Sequence, residues 1–231
     1  MQGAICPTAP GNRCWYRTTN AKPERTSTEA LGTFMTVTNI LAISGSLRAG
    51  SLNSEVLRAC ALLAPPPIQV TLFDGLGALP HFNPDLDVEG VVLPAHVKDL
   101  RRRIGGADAL LISSPEYAHG VPGSLKNALD WLVSAGEMLY KPIGLLNILP
   151  RSIYAYESLR EILATMSTLL IPGALVELPL PRSMLSAESI AANPEIADRL
   201  RSVLTHLRIA GEQYRLRSVE WEWKNLHAVN Q

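Results

Sequence analysis

Apolar positions follow two different periods along this chain. From Val37 onward, short continuous apolar runs alternate with longer stretches whose apolar residues recur at helical spacing. Val37 to Ser44 reads as a first strand, rich in β-branched residues and ending in a Gly/Ser turn. Ser51 to Leu63 then places Leu52, Val56, Cys60 and Leu63 on one helical face. Ile68 to Phe73 reads as a second strand, followed by a loop, Asp74 to Glu89, rich in Pro, Gly and Asp. Pro94 to Ile104 predicts a helix and Asp108 to Ser113 a third strand. Pro122 to Val133 is helical, with Pro122 suited to the first turn. A fourth strand is expected over Pro142 to Leu149, a helix over Tyr154 to Leu170 and a short fifth strand over Ala174 to Leu178. The last helix, Pro194 to Arg215, sets Ile196, Leu200, Val203, Leu204, Leu207 and Ala210 on its apolar side. Strands alternating with helices imply βαβ units, an α/β fold and a parallel sheet with helices on both faces. Burial on both faces explains why the strands are continuously apolar.

The two ends read differently. Residues 1–36 contain Pro7, Pro10, Gly11 and Pro23, are rich in Ser and Thr, and hold no apolar period; they are expected to form a disordered arm. Met35, just before the first strand, is a candidate start of translation. Arg13, Arg17, Lys22 and Arg25 give the arm basic character, which a targeting segment would have, but Glu24 and Glu29 argue against it. Residues 216–231, with Trp221 and Trp223, are set apart as a C-terminal tail suited to packing or a subunit contact.

Composition narrows the partners. Among 231 residues, 21 basic and 21 acidic side chains cancel, so nothing favours nucleic acid or an anionic membrane surface. No apolar run approaches the roughly 18–20 residues of a membrane span. The three cysteines, Cys6, Cys14 and Cys60, form no CxxC pair and no Cys/His cluster with metal-ligand spacing, which points to free thiols and a cytoplasmic location.

Two turns carry the candidate chemistry. After the first strand stands Ser44-Gly45-Ser46-Leu47-Arg48-Ala49-Gly50-Ser51-Leu52-Asn53. Its glycines allow tight turns, its short polar side chains can hydrogen-bond, and the following helix offers free N–H groups and the positive end of its dipole. Arg48 adds a guanidinium fork suited to phosphate, although a solvated Arg48 and a Ser51 acting only as a cap explain the same residues. Both GxxxxGK[ST] and GxGxxG are absent, which favours a mononucleotide over a triphosphate or dinucleotide. After the third strand, Pro115 to Gly120 forms a rigid turn against which a flat ligand would meet backbone groups. Glu116 is a lone carboxylate, and His119 reads better as a positional residue than as a catalyst. No Ser/His/Asp or Cys/His arrangement follows from the spacing. Lys126 and Asp130 are expected to pair along one helix, and Trp131 to pack in the core or an interface.

GSLRAGSLN after the first strand and SPEYAHGVPGSLKNALDWLV after the third together resemble the NADPH-dependent FMN reductase family, over roughly residues 37–212. The resemblance implies a flavodoxin-like three-layer sandwich with a five-stranded parallel sheet of order 2-1-3-4-5, spanning residues 37–215. It implies bound FMN, NADPH or NADH as hydride donor, a small-molecule electron acceptor such as a flavin or quinone, and a homodimer or homotetramer. Ser46, Arg48, Ser51 and Asn53 would hold the FMN phosphate, with Gly45 and Leu52 in the same turn. Pro115, Glu116, Tyr117, Ala118 and His119 would line the isoalloxazine chiefly through backbone groups, with Asn147 at its far edge. A ping-pong reaction with no indispensable acid or base is expected. The alternatives are a flavodoxin-like electron carrier and a flavin-free interaction module. Two departures motivate the latter: Ala118 stands where the family's PEYN turn has asparagine, and the turn Asn147-Ile148-Leu149-Pro150-Arg151-Ser152 lacks the family's glycines.

Overall fold

A computed structural model describes residues 36–149, 151, 153–180 and 184–228, with side chains as far as Arg217. Most of the expected N-terminal arm, with Cys6, Cys14 and Met35, lies outside these residues, as do the side chains of Trp221 and Trp223.

Five strands, β1 (Thr38–Ser44), β2 (Ile68–Phe73), β3 (Ala109–Ser113), β4 (Pro142–Asn147) and β5 (Leu169–Glu177), form one parallel sheet of order β2-β1-β3-β4-β5. Register is tight at the centre, where Ile40 of β1 lies between Val70 of β2 and Ala109 of β3. Successive residues of the central strands point to opposite faces. Ile40, Ala42, Ala109 and Leu111 pack against α1 (Leu52–Leu63) and α6 (Pro194–Ala228) through Val56, Leu57, Leu200 and Leu204. Leu41, Ile43, Leu110 and Ile112 meet α2 (Ala95–Gly105), α3 (Gly123–Asp130) and α4 (Ile153–Thr165) through Leu100, Ile104, Leu125, Leu129, Leu159 and Leu163. The expected three-layer, flavodoxin-like arrangement and its strand order are therefore present.

Several boundaries depart from the sequence reading: α3 ends at Asp130 rather than Val133, and β4 at Asn147 rather than Leu149. The helix expected over Tyr154 to Leu170 stops at Thr165, and β5 begins at Leu169 rather than Ala174. Leu159, Ile162, Leu163, Met166 and Leu170 keep a helical period across the break, while Ser167 at φ 57° turns the chain out of the helix. Pro172 and Gly173 are accommodated because the step from Ile143 to Leu145 on β4 faces one from Leu170 to Leu175 on edge strand β5, an irregularity that takes up the extra residues. A short helix α5 (Ala187–Ala191), too brief to show a period, is fixed by a reciprocal Ser186/Ser189 capping box. The last helix continues past Arg215 to Ala228, a 35-residue element roughly 52 Å long.

At the amino-terminal edge of the sheet, α6 is fastened by charge. Arg215 Nε donates to Asp108 Oδ1 at 2.9 Å, and Asn39 N donates to Asp108 Oδ2 at 2.7 Å. Lys141, fully buried just before β4, donates from Nζ to Ala107 O at 2.6 Å and stands 4.3 Å above the Tyr214 ring.

Candidate functional site

Strand order reverses at β1, whose neighbours β2 and β3 connect to opposite sides of it, so the carboxyl ends of β1 and β3 form the switch point at which sheets of this kind bind ligands. Both candidate turns emerge there. Gly45 N donates to Ser113 O at 2.8 Å, extending the pairing of the two strands into the turn. A Cβ on Gly45 would come within 2.5 Å of Ser114 Oγ, so a larger residue here would force Ser114 to move. Gly50 has open space around it and makes no such demand.

The first turn is held by its own serines. Ser54 Oγ donates to Ser44 Oγ at 2.9 Å, and Ser44 Oγ accepts from Ser46 N at 3.3 Å. Ser46 Oγ in turn accepts from Arg48 N at 3.3 Å. Ser54 was not singled out in the sequence, although its position one turn into α1 places it over Ser44. Ser51 occupies the N-cap of α1 in extended conformation, yet its side chain makes no cap hydrogen bond. The hydroxyl therefore stays available, and the first amides of α1 have no intrahelical partner. Asn53 is buried; its Oδ1 accepts from Ser113 Oγ at 2.9 Å, leaving the amide nitrogen as the end without a hydrogen bond. Leu52 is half-buried and packs on the α1 face of the core. Arg48 is exposed, and its guanidinium makes no hydrogen bond or ion pair among the described residues.

The second turn is a tight hairpin. Tyr117 and Gly120 exchange both backbone hydrogen bonds, at 3.1 and 3.0 Å. Between them Ala118 and His119 both adopt positive φ, 49° and 60°, the signature of a type I′ turn. Pro115 is buried beneath it, and Tyr117 is exposed. The Glu116 carboxylate is engaged: Oε2 accepts from Ala155 N at 2.9 Å and satisfies one of the free amides at the start of α4. His119 lies stacked on Tyr154 of α4.

The helix after this hairpin explains the rest of the long motif. Lys126 and Asp130 form the expected ion pair. Trp131 is a core residue, fully buried, and its Nε1 donates to Pro80 O at 2.9 Å. Asn127 donates from Nδ2 to the same carbonyl at 3.0 Å and accepts from Phe82 N at 2.8 Å. Asn127 and Trp131 thus pin the β2–α2 connection.

After β4, Asn147 is buried, its Oδ1 accepting from Leu149 N at 3.3 Å and its backbone oxygen from Leu178 N at 2.7 Å. Its side chain closes its own turn. Gly144 is needed for packing, since a Cβ would meet Ala174 Cβ at 3.0 Å. A cavity of about 530 Å³ lies elsewhere, between the carboxyl-terminal halves of α3 and α4, lined by Leu129, Val133, Ile162 and Met166. It is remote from both turns. Among the described residues no group of three or more His, Cys, Asp or Glu is placed to hold a metal ion, and no helix is long and apolar enough to cross a membrane. Cys60 is buried, and burial pushes its thiol up to about 12, leaving it protonated and inert.

The serine-rich, arginine-bearing turn and the backbone shelf thus both lie at the switch point of a flavodoxin-like parallel sheet, where ligands bind in sheets of this kind. Residues 38–179 match the family described as NADPH-dependent FMN reductase, and the chain belongs to that family. An NAD(P)H-dependent FMN reductase of Pseudomonas aeruginosa is 40% identical over 109 residues, covering 46% of this chain and 57% of that protein. A quinone reductase of Escherichia coli is 39% identical over 93 residues, covering 40% of this chain and 49% of that one. The chain thus spans about half the length of these relatives. Among solved structures, the flavoenzyme NAD(P)H:(acceptor) oxidoreductase FerB of Paracoccus denitrificans aligns with a TM-score of 0.64 and 25% identity, covering 77% of this chain and 99% of that one.

Proposed function

We propose that this chain is an NAD(P)H-dependent FMN reductase that serves a flavin, quinone or similar small acceptor by a ping-pong sequence. In such a sequence NAD(P)H would bind and leave before the acceptor enters. The observation that carries this reading is the pairing, at one switch point, of the unpartnered Arg48 guanidinium and the free α1 amides with the backbone shelf of Pro115–Gly120.

The residues present fit FMN. Arg48, Ser46, Ser51 and the Asn53 amide nitrogen would hold its phosphate, with Gly45 keeping the turn close to β3. Pro115–His119 would support the ring through backbone groups, while the Glu116 carboxylate serves α4. Asn147, with its Oδ1 already engaged, would act through the shape of its turn. When bound, FMN supplies the hydride and electron chemistry. The protein then needs to orient and shield, and no side chain has to carry a proton in turnover.

The test uses purified protein with NADPH, FMN and a quinone, together with a flavin titration of wild type and Arg48→Ala. NADPH oxidation should depend on FMN, and Arg48→Ala should weaken FMN binding by about 1.5–3 kcal/mol, the range of a charge-assisted bond. No oxidation at any flavin concentration overturns the reading. A flavin-free module is the second reading, favoured by the glycine-poor turn after Asn147; failure of the wild type to bind added FMN would support it. The same proposal places residues 37–215 as the FMN-binding domain and the protein in the cytoplasm, where the free thiol of Cys60 would stay reduced. It expects a homodimer or homotetramer, supported by the exposed Val133, Leu139 and Tyr140.

A further inference from the structure

The rim of the shelf carries a feature that holding FMN does not use. His119, the second left-handed residue of the hairpin, lays its ring against Tyr154 in the first turn of α4. The ring centroids are 4.4 Å apart and the planes 19° from parallel. Hairpin and helix follow the neighbouring strands β3 and β4, so the pair spans the gap above their carboxyl ends. Tyr154 is 59% exposed and His119 is exposed as well, so both members of the stack are open to solvent.

Tyr117, Leu149 and Ile153 are exposed large hydrophobic residues on the same two connections, with the exposed Arg151 on the second of them. The carboxylate among them, Glu116, accepts from the Ala155 amide and offers α4 its charge. Exposed aromatic rings form a flat surface that gains most from another flat ring.

We infer that His119 and Tyr154 are specificity-determining residues that form a wall of the acceptor site and select planar, ring-bearing electron acceptors by stacking. This rests on the flavin-reductase reading above. A fused two-ring quinone gains the ring contact, whereas a compact, charged, non-planar acceptor such as ferricyanide does not.

The experiment measures steady-state kinetics with NADPH for wild type, Tyr154→Ala, Tyr154→Phe and His119→Ala, each FMN-loaded and assayed for flavin content. The acceptors are a naphthoquinone and ferricyanide. The ratio of kcat/KM for naphthoquinone to that for ferricyanide should fall about three- to tenfold in Tyr154→Ala, through KM for the quinone. Tyr154→Phe should keep the ratio and His119→Ala should lie between. If Tyr154→Ala does not retain flavin, Tyr154→Leu, apolar but without a ring, gives the same comparison. An unchanged ratio in flavin-loaded Tyr154→Ala or Tyr154→Leu overturns the inference, as does a parallel loss toward both acceptors. A wild type that binds flavin but oxidises no NADPH, or binds no flavin, overturns the reading beneath it and the inference together.

Discussion

Ala118 carries an L side chain at φ 49°, next to His119 at φ 60°, in a turn whose two hydrogen bonds leave no other backbone geometry. Only glycine, and to a lesser degree asparagine and aspartate, visit this region without a steric cost of about 1–2 kcal/mol. The sequence already marked Ala118 as a departure, and the structure shows that the loss is one of backbone fit as well as of a side-chain amide. Replacing Ala118 with asparagine should therefore stabilise the folded protein by about 0.5–1 kcal/mol. Urea denaturation measures this directly, and an unchanged or lower midpoint would contradict it. Arg48 could be proposed from the sequence as a phosphate ligand because its neighbours are small and polar. The role of the Glu116 carboxylate could not, since its partner, the Ala155 amide, lies 39 positions away in the chain.

Among the elements, α3 is where the long motif changes meaning. Asn127 and Trp131, on one side of α3 and its C-cap, converge on Pro80 O, and the Trp131 ring meets Phe82 edge-on at 5.0 Å. Asn127→Ala should cost about 1–3 kcal/mol, because the Phe82 N–H loses its acceptor in a partly buried setting. The same variant should raise hydrogen exchange at Phe82 while sparing β1 and β3; equal protection in mutant and wild type would refute the assignment. Period and composition were enough to place β1, β2, β3, α1 and α2 within a residue or two. They failed where a local signal was overridden. The apolar spacing through Met166 and Leu170 outran the end of α4, and Pro172-Gly173 read as a breaker although an edge strand could absorb it.

For the whole molecule, two buried groups titrate in opposite senses. Burial pulls the Lys141 ammonium from 10.5 down to about 8, with Asp108 and Glu137 acting in the opposite sense. Between pH 8 and 10.5 the unfolded chain therefore binds more protons than the folded one, so stability rises with pH. Cys60 opposes this from pH 9.0 upward, because its folded thiol stays protonated to about 12 while the unfolded one ionises. The net gain falls between pH 8 and 9 and amounts to about 0.5–1 kcal/mol. Urea midpoints at constant ionic strength should show that rise in wild type and not in Lys141→Met; an equal rise in both would remove Lys141 as its source. The alternation of strands and helices made the layered plan readable. A buried charge under α6 was not readable, because Lys141 acquires its neighbours only when β3, β4 and α6 come together.

That buried ammonium has a consequence for how the protein can change. It sits at the amino end of β4, a strand of six residues, roughly 20 Å from the turn that follows it. Lys141 and the candidate turns thus occupy opposite margins of the sheet. Variation in the hairpin or the start of α4 can retune chemistry without disturbing the anchor of α6. The pH of fastest turnover and the pH of greatest durability are accordingly free to drift apart.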